Sequence, residues 1–168
     1  CILIPSNQLY EAQKWMASKV ALLPTIDEER IAFFETWNAH SFYFLDAAGN
    51  IAECIVHHDL QNTAHTAFGL SSFLGVNEIG LPVTDIRVMH QQLMEIAGTD
   101  VWKGDWEHFS THGSPEGKFL LPNYLVKETW FPTEIKITPA PFSTTIENKG
   151  QLRSLAYEAG QITAIKNL

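Results

Sequence analysis

Apolar and polar positions change period twice along this chain, in the same order each time. Cys1-Ile2-Leu3-Ile4 is a short apolar run closed by Pro5, which predicts a buried strand. Ser6 or Asn7 is placed to cap a following helix, in which Leu9, Ala12, Met16 and Val20 recur at helical spacing. Glu11, Gln13, Lys14 and Ser18 fall on its other faces, and Pro24 ends it. Asp27-Glu28-Glu29-Arg30 reads as a solvated loop and Ile31 to Trp37 as a strand. Then comes a hairpin from Phe42 to Val56. Asp46 opens its turn and Gly49 supplies the positive φ that closes it. Strand alternation puts Ile51, Glu53, Ile55 and His57 on one face, and Ala52, Cys54, Val56 and His58 on the other.

After a connector over Asp59 to Leu74 the order repeats. Glu78 to Val83 opens as a strand, and Thr84 or Asp85 caps a helix carrying Ile86, Met89, Leu93 and Ile96. Gly98 stands where such a helix ends. Strands are predicted at Trp106–Thr111 and Lys118–Leu121, around a turn over Gly113 to Gly117. Glu134–Thr138 and Phe142–Glu147 read as extended segments. Turn signals at Asn148-Lys149-Gly150 and Glu158-Ala159-Gly160 favour hairpin strands in the tail, with a helix over Leu152–Glu158 as the alternative. The expected organisation is a first unit over 1–60, a linker over 61–75, a second unit over 76–147 and a C-terminal extension over 148–168. A repeated strand–helix–hairpin unit places a site in a cleft between paired sheets.

Composition removes several classes of function. With 168 residues, 45% hydrophobic and 18% charged, the chain has enough apolar side chains for a globular core. A net charge of −8, with 11 basic residues spread thinly, argues against a nucleic-acid partner. The apolar runs fall short of the ~20 residues a membrane span needs, so a soluble cytoplasmic protein is expected. Cys1 and Cys54 form no C-x-x-C pair and are expected as reduced thiols. Cys1 falls inside a strand already under way, as if the chain were trimmed or preceded by further residues. No dinucleotide or phosphate-loop glycine pattern and no nucleophile elbow occurs.

The run Asn38-Ala39-His40-Ser41-Phe42-Tyr43-Phe44-Leu45-Asp46-Ala47-Ala48-Gly49-Asn50-Ile51-Ala52-Glu53 resembles the hairpin of the vicinal oxygen chelate superfamily. That group includes the glyoxalase I, bleomycin-resistance and extradiol dioxygenase relatives. Its pattern is an aromatic strand, an Asp-Pro-x-Gly-Asn turn and a strand bearing Glu; here Ala47 replaces the Pro. Ile79-Gly80-Leu81-Pro82-Val83-Thr84-Asp85 is similar to the family's module-opening strand, and Gly113 to Leu121 with Trp130-Phe131-Pro132 to its later hairpin. The resemblance implies an α+β fold of two βαβββ modules, with mixed sheets curled around a cleft. It implies a divalent metal (Fe, Mn, Ni, Zn or Mg) chelated by two vicinal oxygens of a small-molecule substrate. The reaction would be that of a lyase, isomerase or dioxygenase. The other expectation is a metal-free protein that sequesters a small molecule, as resistance proteins do. A homodimer is compatible with either.

Glu53 matches the closing-strand metal ligand of that family. Its own setting points the same way: among Ile51 and Ile55, an ionised carboxylate is costly unless coordinated or paired. The alternative is a partly wet face or a Lys or Arg partner. Glu78 stands where the second opening strand often carries His, and a carboxylate there is a candidate ligand; its plainer reading is an exposed residue at a strand start. The first opening strand's ligand is expected about two residues before Cys1. On the second closing strand, expected at Phe142 to Glu147, only Glu147 offers an acid. His57 shares the face of Glu53 and is the candidate catalytic acid–base group. His108 and His112 share a predicted strand face but lie ~13 Å apart, too far to chelate one ion. His90 and His65 are expected in solvent. Trp15, Trp37, Trp102, Trp106 and Trp130 are expected mainly as core filling.

Overall fold

A computed structural model describes residues 1–25 and 30–165. The acidic positions Asp27, Glu28 and Glu29 lie outside the described residues. The chain is mixed α+β, with two α-helices and twelve strands among the described residues, arranged in three open sheets. It divides into two compact units: Cys1–Glu78 with Pro115–Gly117, and Ile79–Ser114 with Lys118–Leu168. No helix is long and apolar enough to cross a membrane.

The first unit contains β1 (Ile2–Leu3), α1 (Leu9–Ala17), β2 (Ala32–Phe34), β3 (Ala39–Leu45), β4 (Ile51–His57) and β5 (Gly75–Val76). They form one sheet in the order β2-β3-β4-β1-β5, with β1 parallel to β4. Packing explains why β4 reads as nearly continuous apolar sequence. Cys54 and Val56 point into a core with Leu9, Ala12 and Met16 of α1, while Ile55 joins Leu3 and Ala39 in a separate cluster. The hairpin turn forms as its residues predict. Asp46 accepts from the backbone N–H groups of Ala48 and Asn50 at 2.8 and 2.9 Å, and Gly49 has φ +84°.

Local competition shortens two elements. α1 ends at Ala17, so Val20 lies beyond it. Neither Ser6 nor Asn7 caps it. Asn7 instead exchanges hydrogen bonds with the Ala64 backbone, and the Ser6 N–H is taken by Asn62, tying the connector to the helix start. The strand expected over Ile31–Trp37 stops at Phe34, and Glu35–Trp37 forms a 3₁₀ turn. Asn38, at φ +47°, follows that turn.

Apart from the end residues Glu78 and Gly117, the second unit contains β6 (Glu78–Gly80), α2 (Ile86–Ile96), β7 (Val101–Gly104), β8 (Phe109–Ser114) and β9 (Gly117–Pro122), the strands forming a sheet in the order β6-β9-β8-β7. Asp85 caps α2 through the N–H groups of Arg87 and Val88 at 2.9 and 3.1 Å. Ile86, Met89 and Leu93 form its buried face. Trp106 is not in a strand. Asp105 accepts from the N–H groups of Glu107 and His108, and the turn so made delays β8 to Phe109. Glu134–Thr138 forms only a single bridge, between Thr129 and Lys136. Phe142–Glu147 is extended but does not join the sheet of β9. As β10 (Phe142–Asn148) it pairs with β11 (Gln151–Glu158), which pairs with β12 (Gln161–Ile165). Positive φ at Lys149 and Gly150, and again at Ala159 and Gly160, closes both hairpins. The helix alternative for Leu152–Glu158 is thereby excluded.

Candidate metal centre

β1 lies parallel to β4 with Ile2 beside Cys54 and Leu3 beside Ile55. That register brings Cys1, just ahead of β1, alongside Glu53. Across the other strand pair Glu53 faces Tyr43, and both point away from the α1 core occupied by Phe42, Phe44 and Cys54. Glu78 arrives from the end of the connector. Its neighbour Asn77 is buried and donates to the carbonyls of Pro115 and Glu116 at 2.8 and 3.0 Å, while the Asn77 N–H reaches Cys1 O at 3.0 Å. Together these contacts fix the segment that presents Glu78.

The result is a cluster of Cys1, Glu53 and Glu78 with one donor atom from each within 4.8 Å of the others. Glu53 is 8% exposed and Glu78 5%, so Glu78 is not the solvent-facing strand start that its plainer reading suggests. Burial and then the charge of Glu78 push the Glu53 carboxyl up to about 8, against hydrogen bonds that include one from Tyr43. Burial, and next the Glu53 charge, raise the Tyr43 phenol well above its usual range. The charges of two carboxylates this close repel, and a divalent cation between them would offset that repulsion. A thiolate with two carboxylates is a donor set that suits Fe²⁺ or Zn²⁺ better than Mg²⁺, which prefers oxygen alone.

The sequence-predicted residues are distributed unevenly around this cluster. Glu53 and Glu78 are in it. His57 is buried on β4 opposite Ala39, four residues and therefore ~13 Å along the strand from Glu53. Glu147 is exposed on β10, in the C-terminal sheet. His108 precedes β8 and sits 3.4 Å from Asp105 in solvent, so it shares no strand face with His112. His65 is exposed, as expected. His90 is not: it packs against Trp106 and His112. Cys54 faces the α1 core, where burial pushes its thiol up to about 12.

Cys1 is the residue that sequence reasoning missed. The signal lies in the parallel strand pairs. Ile4 N–H donates to Ile55 O at 3.0 Å, and Leu81 N–H donates to Leu120 O at 2.7 Å. Three residues before the two donors stand Cys1 and Glu78; two residues before the two acceptors stand Glu53 and Lys118. Cys1 and Glu78 thus hold the same position relative to their donors, as Glu53 and Lys118 do relative to their acceptors. On β9 the place corresponding to Glu53 carries a buried ammonium, Lys118, whose Nζ lies 5.4 Å from the centre of the Trp102 ring. Compared with protein-family models and with curated proteins, the chain matches none.

Proposed function

We propose that this chain is a metal-dependent enzyme of the glyoxalase-like class, a lyase, isomerase or dioxygenase acting on a small molecule with vicinal oxygens. The observation that carries the reading is the convergence of Cys1, Glu53 and Glu78 within 4.8 Å. Support for two βαβββ modules comes from strand order. Opening strand, closing strand, middle strand and edge strand are neighbours as β1-β4-β3-β2 in one sheet and as β6-β9-β8-β7 in another.

In this reading Glu53, Glu78 and Cys1 hold a divalent ion, which when bound supplies Lewis acidity to the substrate oxygens. Tyr43 donates to Glu53 and fixes its orientation. Glu53 is also the group placed to take or give a proton at the cluster, a role that His57 cannot fill at ~13 Å. The second reading, a metal-free small-molecule binding protein of the bleomycin-resistance type, is favoured by Lys118. On β9 a buried ammonium, not a carboxylate, holds the register position that Glu53 holds on β4.

Metal analysis of the purified chain, after exposure to Fe²⁺, Mn²⁺, Ni²⁺, Zn²⁺ and Mg²⁺ in turn, separates the two. About one equivalent of Fe²⁺ or Zn²⁺ is expected. Losing an outer-shell partner costs 10–100-fold in affinity, so Glu53→Gln or Glu78→Gln is expected to cost at least about 100-fold. Co²⁺ loading is expected to give a sulfur charge-transfer band that Cys1→Ser removes. Absence of any bound metal above background would overturn the enzyme reading in favour of the second.

A further inference from the structure

The second unit holds a pair of histidines, one buried and one half-buried, with unpartnered buried ring nitrogens. His112 on β8 is 0% exposed, and neither of its ring nitrogens has a hydrogen-bond partner among the described residues. His90 on α2 faces it with ring centres 5.2 Å apart, and the His90 Nδ1 is likewise buried and unpartnered. The Trp106 ring stands edge-on to His90 at 5.1 Å, and the Arg87 guanidinium lies over Trp106 at 5.0 Å. Each buried polar atom left unsatisfied costs about 1–3 kcal/mol. Three on two touching rings demand a reason, because native structures hold few such atoms.

We infer that His90 and His112 form a binding site for a monovalent d¹⁰ cation, Cu⁺, clasped between α2 and β8. Burial, and then the neighbouring His90, hold His112 down at about 4, so near neutral pH its ring is uncharged and offers the lone pair a metal needs. The donor count selects the ion. Among the described residues no thiolate or carboxylate completes a group of three donors with these rings. Zn²⁺ in a closed site takes four ligands and Mg²⁺ or Ca²⁺ takes oxygen, whereas copper accepts imidazole. A d¹⁰ monovalent ion accepts as few as two donors and brings a single charge into an apolar setting. Asp100, whose charge is felt at His112, offsets part of it. The ion enters and leaves as Cu⁺, so no electron is transferred.

The test uses Ag⁺ as a redox-silent probe on the full chain with ¹⁵N-labelled histidine. Enough Ag⁺ is added to saturate the two free thiols and one further site. The imidazole nitrogen resonances of His90 and His112 are expected to shift together, with quenching of Trp106 fluorescence. Capture by Cys1 or Cys54 leaves those resonances in place. Both signals are expected to vanish in His90→Phe and in His112→Phe; if the latter fails to fold by circular dichroism, the former decides alone. Resonances that stay put at saturation, or that shift equally in His90→Phe, overturn the site and leave buried water as the partner of these rings.

Discussion

A β-carbon at Gly104 would collide with the Phe109 carbonyl oxygen and stand 2.7 Å from Ser110 Cα. Both contacts are backbone, so nothing can rotate aside, and φ at Gly104 is +109°, where side chains are strained. Gly104→Ala must therefore push β7 away from β8 where Gly104 pairs with Ser110, just past the register shift between Val101 and Lys103. A loss of roughly 2–4 kcal/mol is expected from strain and overpacking together. Urea unfolding measures it, and a midpoint within error of the parent would refute the close approach. The candidate site has the same one-residue resolution. Glu53 was legible because a carboxylate between two isoleucines on a strand face needs a reason. His57 shares that face, yet side chains on a strand recede by ~3.3 Å per residue, so a shared face did not mean a shared site. Cys1 was hidden because its place depends on the pairing of β1 with a strand about fifty residues away, and periodicity carries no register between distant segments.

The hairpin of β3 and β4 was readable because its determinants are local. Asp46 accepts from two backbone N–H groups and from the Asn50 side chain, all within four residues of it. These bonds, with that of Asn50 first, lower its carboxyl below the ordinary 3.8. The sign of the pH effect follows. Above 3.8 Asp46 is ionised in both folded and unfolded chains and its contribution to stability is complete. As pH falls below that value the unfolded chain takes up the proton first, so the contribution drains away until the folded carboxyl also protonates. The stability difference between the parent and Asp46→Ala is expected to be full at pH 5 and to shrink progressively below 3.8. Paired urea melts at both ends of that range measure it; a difference independent of pH would show that the turn does not rely on the charged form. α2 was equally legible, since Asp85 caps it and Ile86, Met89 and Leu93 mark its buried face. α1 and β2 were overestimated because Asn7 and Glu35–Trp37 serve contacts or turns that propensity does not count.

Each unit completes its core from its own chain, and in the second unit the C-terminal sheet does much of that work. Leu155, Tyr157 and Ile162 are buried in one cluster with Leu81, Ile86, Met89 and Leu93. The polar contacts agree. The Ile162 N–H donates to Gln92 Oε1 at 3.0 Å, Arg153 donates to Ile96 O at 3.2 Å, and the Asn148 amide donates to Gly98 O at 2.7 Å. The Tyr157 hydroxyl donates to Pro82 O. Alternation along Phe142–Glu147 announced a strand but not its partner, and this partnership decides whether the tail is an appendage or part of the fold. An appendage would tolerate truncation of its buried side chains. A structural layer would not: Leu155→Ala removes a fully buried side chain, and a cost of about 2–5 kcal/mol is expected. Amide hydrogen exchange locates the damage. Protection in α2 and β11 is expected to fall together, because the lost side chain belongs to the cluster that seats the helix. Loss confined to β11, with α2 as protected as in the parent, would show that the helix holds its place without the tail.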